Sequence, residues 1–181
     1  EYSQPARMTE AVLKALETAL GPGPYAIRVQ SGDLILDAPM VEKLRRSPAA
    51  VEVIINALRA VPGVAAAYFG ADLDAHAAAG DPVARAVFLS YYPGRSGDIT
   101  VVPKPYWLFV TADGTPQPGS ATSHGTAYGY DQRVPVVLFG AGIKPGEYLA
   151  AASPADIAPT LALLCGVTLP RADGSVLVDA I

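Results

Sequence analysis

The chain has 181 residues, enough for one domain, and 51% of them are hydrophobic, enough to bury a core. Its 13 basic and 17 acidic residues give a net charge of −4, and the basic residues are scattered, which argues against nucleic-acid binding because a phosphate-tracking surface needs clustered lysine and arginine. No apolar run approaches the ~18 residues of a membrane-spanning helix, and Cys165, the single cysteine, excludes an internal disulfide and a cysteine-based zinc cluster and is expected to be a buried thiol.

The first part of the chain alternates helical and strand patterns. Apolar residues at helical spacing predict a helix over residues 8–20 and a second helix over residues 51–61, each ended by glycine and proline. Two short apolar runs around a Ser-Gly-Asp turn predict a β-hairpin over residues 25–36. Residues 64–69 are predicted to form a strand, and residues 72–79 a short helix.

The middle of the chain continues this alternation and then becomes polar. Pro82 favours the first turn of a further helix, because its missing N–H has no partner there in any case. Strands are predicted over residues 99–102 and 107–110, separated by Pro103-Lys104-Pro105, whose two prolines remove ladder donors. Residues 111–123 are rich in Gly, Pro, Ser and Thr and are expected to form a mobile loop.

The C-terminal stretch has the pattern of a strand followed by a helix. The apolar run over residues 134–139 predicts a strand buried on both faces, which needs helices on both sides. Asp156 is favoured over Ser153 as the helix cap, because Pro159 then lies at the third helical position, where its absent N–H is unpaired anyway. Gly166 is expected to end the helix.

These elements predict an α+β or α/β protein in which helices pack on a mixed, largely antiparallel sheet. The expected organisation is an α+β subdomain over residues 1–110, the mobile loop over residues 111–123, and a C-terminal strand–helix segment over residues 124–181. Because the last segment offers one helix for a strand that needs two covered faces, its missing neighbours are expected from an upstream part of the polypeptide.

The chain offers two histidines as candidate metal ligands. His76 shares a helix face with Asp72, but small alanines surround it, so an exposed polar helix flank is favoured over a metal site. His124 lies in a Gly-flanked turn, where a neutral imidazole suits zinc; taken alone, a loop histidine bonded to backbone is still the favoured interpretation. Ser123 cannot pair with His124 as nucleophile and base, because adjacent side chains in extended backbone point to opposite faces.

Other candidate residues favour structural roles. Residues 140–145 begin like a dinucleotide fingerprint, but a proline replaces the third glycine and no helix starts there. Arg95 and Lys104 are expected to make surface contacts rather than to bind substrate phosphate. Tyr106 and Trp107 are expected to face opposite ways on a strand, with one of them in the core.

A series of short motifs lies in a fixed order between Pro93 and the C-terminus. Together they make the chain similar to the alkaline phosphatase superfamily, in particular to its bacterial alkaline phosphatase and type I phosphodiesterase/nucleotide pyrophosphatase branch. The motifs are residues 93–98 (PGRSGD), 104–107 (KPYW), 123–126 (SHGT), 130–131 (YD), 134–135 (VP), 139–146 (FGAGIKPG), 156–161 (DIAPTL) and 165–166 (CG).

The resemblance implies a zinc-dependent phosphohydrolase with two zinc ions, acting on phosphate mono- or diesters. His124 matches the family's histidine ligand of one zinc, and its second ring nitrogen needs an acceptor, for which Asp131 or a backbone carbonyl is available. The nucleophile and the other ligands of the family precede the matched region, so the chain corresponds to the C-terminal portion of such an enzyme and carries no catalytic residue. One ligand cannot hold zinc against water, and the isolated chain is expected to be inactive and to bind no zinc tightly.

The resemblance also implies a periplasmic or secreted protein whose partners are the upstream part of the same polypeptide and a phosphate-ester substrate, with no nucleic acid and no membrane span. The α/β core of the family would then receive the strand–helix segment over residues 124–181. The alternative is a non-catalytic accessory or oligomerisation module in which His124 is incidental.

Overall fold

The computed structural model describes residues 2–3, 5–30, 32–110 and 124–181. It contains two compact units, Glu1–Gln132 and Arg133–Ile181. The predicted loop over residues 111–123 lies outside the described residues, and residues 124–132 lie in the first unit. No described helix is long and apolar enough to cross a membrane.

The first unit is built on an antiparallel sheet. Its strands, with a short additional pair, are β1 (Tyr2–Ser3), β2 (Ile27–Gln30), β3 (Asp33–Leu36), β4 (Val64–Phe69), β5 (Ile99–Pro103) and β6 (Leu108–Phe109). The four-stranded sheet has the order β2-β3-β5-β4, and β1 pairs in parallel with β6. The helices and the largely antiparallel sheet confirm the predicted fold class.

Most helices of the first unit have a proline in their first turn. The helices are α1 (Pro5–Leu20), α2 (Ala38–Arg45), α3 (Pro48–Arg59), α4 (Leu73–Ala78), α5 (Pro82–Ser90) and the short α6 (Gly129–Gln132). The sequence patterns predicted α1, α3, α4 and α5 but missed α2. Its start is nevertheless encoded, because the Asp37 carboxylate accepts the N–H of Met40 at 2.8 Å and Pro39 lies in the first turn.

The sheet buries apolar side chains on both faces. Ala67 and Phe69 lie with α1 and α3 in one cluster, whereas Tyr68, which alternates with them along β4, lies with residues of α4 and α5 in another. Met8 and Ile54 in the first cluster are fully buried, and each such side chain contributes about 1.5–3 kcal/mol of burial free energy. The sheet is therefore fixed from both sides, and its strand ends become rigid supports for the loops that follow.

The second unit is organised around one helix, α7 (Ile157–Leu164), which follows a 3₁₀ turn over Pro154–Asp156. Asp156 is the N-cap of α7 and Pro159 is its third residue, as predicted, but the Asp156 side chain caps no N–H group of α7. Ser153 caps the preceding 3₁₀ turn: its Oγ accepts the N–H of Ala155 at 3.2 Å. Asp156 precedes α7 directly, but its carboxylate accepts the N–H groups of Ser175 and Ser153, each at 2.7 Å. These bonds, first that of Ser175, hold the pKa of Asp156 below its usual value.

Two expectations for the second unit are wrong. Residues 134–139 belong to no strand within the described chain, and Phe139 is completely exposed, with Val137 83% exposed. The apolar run indicates burial, but a strand also needs a neighbouring strand that pairs with its backbone N–H and C=O groups. The described residues supply no such neighbour for residues 134–139. Cys165, expected to be buried, is exposed at the residue that caps the C-terminus of α7.

Candidate functional site

His124 begins a short, closely bonded turn that runs into α6. One oxygen of Asp131, Oδ2, accepts both the backbone N–H of Thr126 at 3.0 Å and the Thr126 hydroxyl at 2.6 Å. Gln132 closes the same turn by donating from Nε2 to the carbonyl of Ala127 at 2.9 Å. Gly125 has φ 98°, a backbone conformation that residues with a Cβ atom rarely adopt. The turn therefore has a defined shape and carries an exposed imidazole at its start.

Tyrosine side chains join this turn to the end of β5. The Tyr128 hydroxyl donates to the carbonyl of Pro103 at 2.8 Å. The Tyr130 ring stacks on Tyr128, with centroids 5.6 Å apart, and on Tyr106, with centroids 4.9 Å apart. The backbone N–H of Tyr106 donates to the Tyr130 hydroxyl at 3.0 Å. The His124 turn is thus anchored to the sheet through residues of Pro103–Tyr106.

Tyr106 itself differs from the expectation. It lies in a turn rather than on a strand, with φ 65°, and among the described residues it is the non-glycine residue with positive φ. It is 79% exposed, whereas Trp107 is half-buried. The strand rule of alternating faces does not apply, because β5 ends at Pro103 and Tyr106 lies in the turn that follows.

The described residues contain no group of three or more His, Cys, Asp or Glu side chains placed to hold a metal ion. A zinc site needs about four ligands, so the part of the chain that the structure describes does not form such a site by itself. The assignment of His124 as one zinc ligand stays a prediction. Its exposure and its fixed turn are compatible with that role.

His76 lies on an exposed face of α4, as expected, beside a groove of about 370 Å³ at the β4 edge. Its ring meets the edge of the Tyr68 ring at 5.6 Å. The Tyr68 hydroxyl donates to Asp81 Oδ2 at 2.8 Å, and Asp81 Oδ1 accepts the N–H groups of Val83 and Ala84 at the start of α5. These polar groups are used in fixing α5 to β4.

The same contacts shift two pKa values in the first unit. The hydrogen bond from Tyr68 is the largest cause that lowers the pKa of Asp81, with smaller help from the N–H groups that it caps. Burial, followed by the bond to Asp81, raises the pKa of Tyr68. Both shifts are thus explained by the burial of Tyr68 and by the structural hydrogen bonds of Asp81.

Arg95 and Lys104 lie on the surface. The Arg95 guanidinium lies 5.5 Å from the centroid of the Tyr92 ring, a cation–π contact. Lys104 is exposed, and its backbone N–H donates to the carbonyl of Gly63 at 2.7 Å. Both residues thus have contacts of the kind expected for the surface.

Curated relatives align with much of the chain. A protein of Myroides odoratus named calcium-transporting ATPase is 30% identical over 133 residues, which cover 72% of this chain and 23% of that protein. Alkaline phosphatase PhoK of Sphingomonas sp is 29% identical over 147 residues, covering 78% of this chain and 25% of PhoK. Alkaline phosphatase PafA of Elizabethkingia meningoseptica is 31% identical over 90 residues, covering 50% of this chain and 15% of PafA. The chain thus spans a quarter or less of the length of these relatives.

Solved structures share the fold. The crystal structure of wild-type alkaline phosphatase PafA superposes with a TM-score of 0.76 at 20% identity, covering 100% of this chain and 34% of that chain. The crystal structure of a PafA mutant superposes with a TM-score of 0.74 at 21% identity, covering 100% of this chain and 33% of the mutant chain. No family profile matches the chain. The whole described fold therefore has a counterpart within one part of a longer enzyme.

Proposed function

We propose, since the chain belongs to the alkaline phosphatase superfamily, that the intact natural protein is a zinc-dependent phosphohydrolase that cleaves phosphate mono- or diesters. In this proposal the chain contributes one zinc ligand, His124, and the frame that positions it. The nucleophile and the remaining ligands come from other parts of the polypeptide.

The observation that carries the proposal is the turn that begins at His124. A metal ligand must be held in one orientation, and ligands are commonly fixed by carboxylates and backbone groups around them. Here Asp131 fixes Thr126 through two hydrogen bonds, and Tyr128 fixes the following residues to Pro103. These bonds give the turn one defined shape, and glycine at position 125 permits the φ of 98° that the backbone adopts directly after His124.

The second unit supports the proposal that further polypeptide packs against it. Soluble proteins seldom leave large apolar side chains contiguous and exposed. Considered by itself, this unit exposes apolar side chains from two stretches, residues 134–139 and α7: Val134, Val137, Phe139, Leu161, Leu163 and Leu164. The length of the relatives fits an occupant from the same polypeptide, because the chain spans a quarter or less of each of them.

The proposal is tested by assaying the intact natural protein and the chain of 181 residues side by side, with 4-nitrophenyl phosphate and bis(4-nitrophenyl) phosphate. We expect hydrolysis by the intact protein that a chelator abolishes and added zinc restores, and none by the chain. The ratio of the two rates assigns the enzyme to monoesters or diesters. Absence of hydrolysis by the zinc-loaded intact protein would contradict the proposal and favour a non-catalytic accessory or oligomerisation module.

We also propose that the intact protein acts in the periplasm or outside the cell. The proposal rests on the resemblance to the family alone. Cell fractionation with an antibody against the chain tests it, and recovery of the protein in the cytoplasmic fraction would contradict it.

A further inference from the structure

Tyr106 is exposed in an unfavourable backbone conformation. A bulky residue at φ 65° costs free energy, because its Cβ crowds the following carbonyl. Such positions persist where surrounding contacts over-determine them, and they cluster at ligand-binding sites. Here the contacts are the hydrogen bond from the Tyr106 N–H to the Tyr130 hydroxyl and the stacking of the two rings at an interplanar angle of 14°.

Three tyrosines form one column, which we call the aromatic ledge: Tyr106, Tyr130 and Tyr128. Tyr130 stacks with both of the others, at interplanar angles of 14° and 17°. The Tyr128 hydroxyl is bonded to the carbonyl of Pro103, which fixes the inner end of the column to β5. Tyr106 is 79% exposed and Tyr130 47% exposed, so the outer end presents a wide aromatic face.

The aromatic ledge is close to the predicted zinc ligand. Asp131 follows Tyr130 directly and is bonded to Thr126 at 2.6 and 3.0 Å. The Cα of Thr126 lies two residues, at most about 7 Å, from that of His124. One short segment therefore carries the imidazole and two tyrosines of the ledge, and Tyr106 joins it through its contacts with Tyr130. All of these residues lie in the first unit.

We propose that the aromatic ledge binds the planar ring of a phosphate ester's leaving group, an aryl group or a nucleobase, while the phosphate lies at the metal site to which His124 contributes. This inference rests on the proposed function and names its substrate class. A ring that is already held in place binds a second ring at low entropic cost, because little side-chain freedom remains to be lost. Aromatic pairs of this kind stack with centroids 4.5–7 Å apart.

The alternative is that the stack only supports the turn. Tyr128 and Tyr130 suffice for that purpose, since they link the turn to Pro103 and to the backbone of Tyr106. The Tyr106 ring makes no described hydrogen bond through its hydroxyl, and most of its surface faces outward. Its ring is therefore the part of the ledge that support of the turn does not explain.

The test compares phenyl phosphate with glycerol 3-phosphate as substrates of the intact protein. The variants are Tyr106→Gly, which removes the ring but tolerates positive φ, and Tyr106→Phe, which keeps the ring. Tyr92→Ala is the matched control, since it removes another exposed tyrosine of the first unit. The readout is the ratio of kcat/KM for the phenyl ester to that for the alkyl ester, which cancels general effects on the phosphate site.

We expect Tyr106→Gly to lower this ratio about three- to tenfold, mostly through a higher KM for the phenyl ester. The effect falls on KM because stacking stabilises the bound substrate and the transition state equally. Tyr106→Phe should keep most of the preference, and Tyr92→Ala should keep all of it. An unchanged ratio in Tyr106→Gly, or an equal fall in Tyr92→Ala, overturns the proposal.

A second measurement separates this inference from the proposed function. Phenylphosphonate has a C–P bond that phosphatases of esters do not cleave, and its ring protons report contact by saturation-transfer NMR without turnover. We expect transfer to these protons from the intact protein and its loss in Tyr106→Gly, with methylphosphonate as the ligand that lacks a ring. If the protein hydrolyses no ester, the proposed function fails; if transfer is the same in both proteins, the aromatic ledge fails.

Discussion

Asp131 and Thr126 are joined twice through a single carboxylate oxygen, which accepts the Thr126 N–H at 3.0 Å and its hydroxyl at 2.6 Å. A carboxylate that accepts two donors from one residue determines the local backbone more tightly than a single bond does. Because Thr126 is two residues from His124, we expect the bonds between Asp131 and Thr126 to restrict the backbone that carries the predicted zinc ligand.

Removal of the Asp131 carboxylate is expected to loosen that ligand. We predict that Asp131→Ala lowers the zinc affinity of the intact protein by about tenfold or more, as loss of groups that orient a ligand commonly does. Competition with a chromogenic chelator measures the affinity. Asp74→Ala, which removes an exposed carboxylate on α4, is the matched control. Equal affinities in Asp131→Ala and the unmodified protein would show that the turn does not position a ligand.

The exposed apolar residues of the second unit are expected to behave differently in the intact protein and in the chain alone. We predict that Phe139→Ser costs about 3–5 kcal/mol of unfolding free energy in the intact protein, because in our proposal the ring packs there against other polypeptide. In the chain alone, where Phe139 is fully exposed, the change should be near zero. Urea denaturation of both forms measures the two values, and similar small changes in both would remove the support for a packed partner segment.

The hydroxyl of Thr160 holds the second unit together. This side chain is completely buried, and its Oγ1 donates to the Asp156 carbonyl at 2.6 Å and accepts the Leu177 N–H at 2.9 Å. We predict that Thr160→Val costs about 1–3 kcal/mol, because it keeps the shape but leaves both groups without their partner. Hydrogen exchange at the Leu177 amide should accelerate accordingly. Thr160→Ser, which retains the hydroxyl, should protect that amide better than Thr160→Val does.

The bond between Tyr68 and Asp81 should make the stability of the first unit depend on pH in acid. The folded pKa of Asp81 lies below its unfolded value near 3.8, so its contribution is fully present above that pH and is lost as the pH falls through the folded pKa. Tyr68→Phe removes the largest cause of the shift. We predict a loss of about 1 kcal/mol at neutral pH, which shrinks as the pH falls below about 4.

Denaturation of both proteins between pH 7 and pH 2 measures this difference. Asp81→Asn is the informative companion, since asparagine still caps α5 but carries no titrating charge. Its stability should vary less with pH in this range than that of the unmodified protein. A difference between Tyr68→Phe and the unmodified protein that is constant with pH would contradict the assigned cause of the shift.

Local patterns were sufficient for most elements of the first unit. The helix over residues 8–20 and the strand over residues 64–69 were predictable because each buries one face or one apolar run against the core. Helix α2 was missed because it has only eight residues and buries only Met40 and Leu44, which makes a short helical pattern, although Asp37 and Pro39 marked its start.

The second unit was less predictable, because its apolar residues specify burial but not the partner. Residues 134–139 read as a buried strand, yet the described chain offers no neighbouring strand, and Phe139 and Cys165 are exposed. The candidate site shows the same limit. The motif around His124 made it a candidate ligand, and this stays a prediction. The aromatic ledge could not be predicted, because it depends on the unusual backbone of Tyr106, which no pattern of residues indicates.

The central claim is that His124 is one ligand of a zinc site that other parts of the polypeptide complete. Its most direct test is the zinc content of the intact protein, measured by atomic emission after gel filtration, in His124→Ala and in His76→Ala. We predict that His124→Ala loses one zinc ion and nearly all phosphate-ester hydrolysis, whereas His76→Ala retains both. Equal zinc content and equal rates in the two variants would contradict the claim.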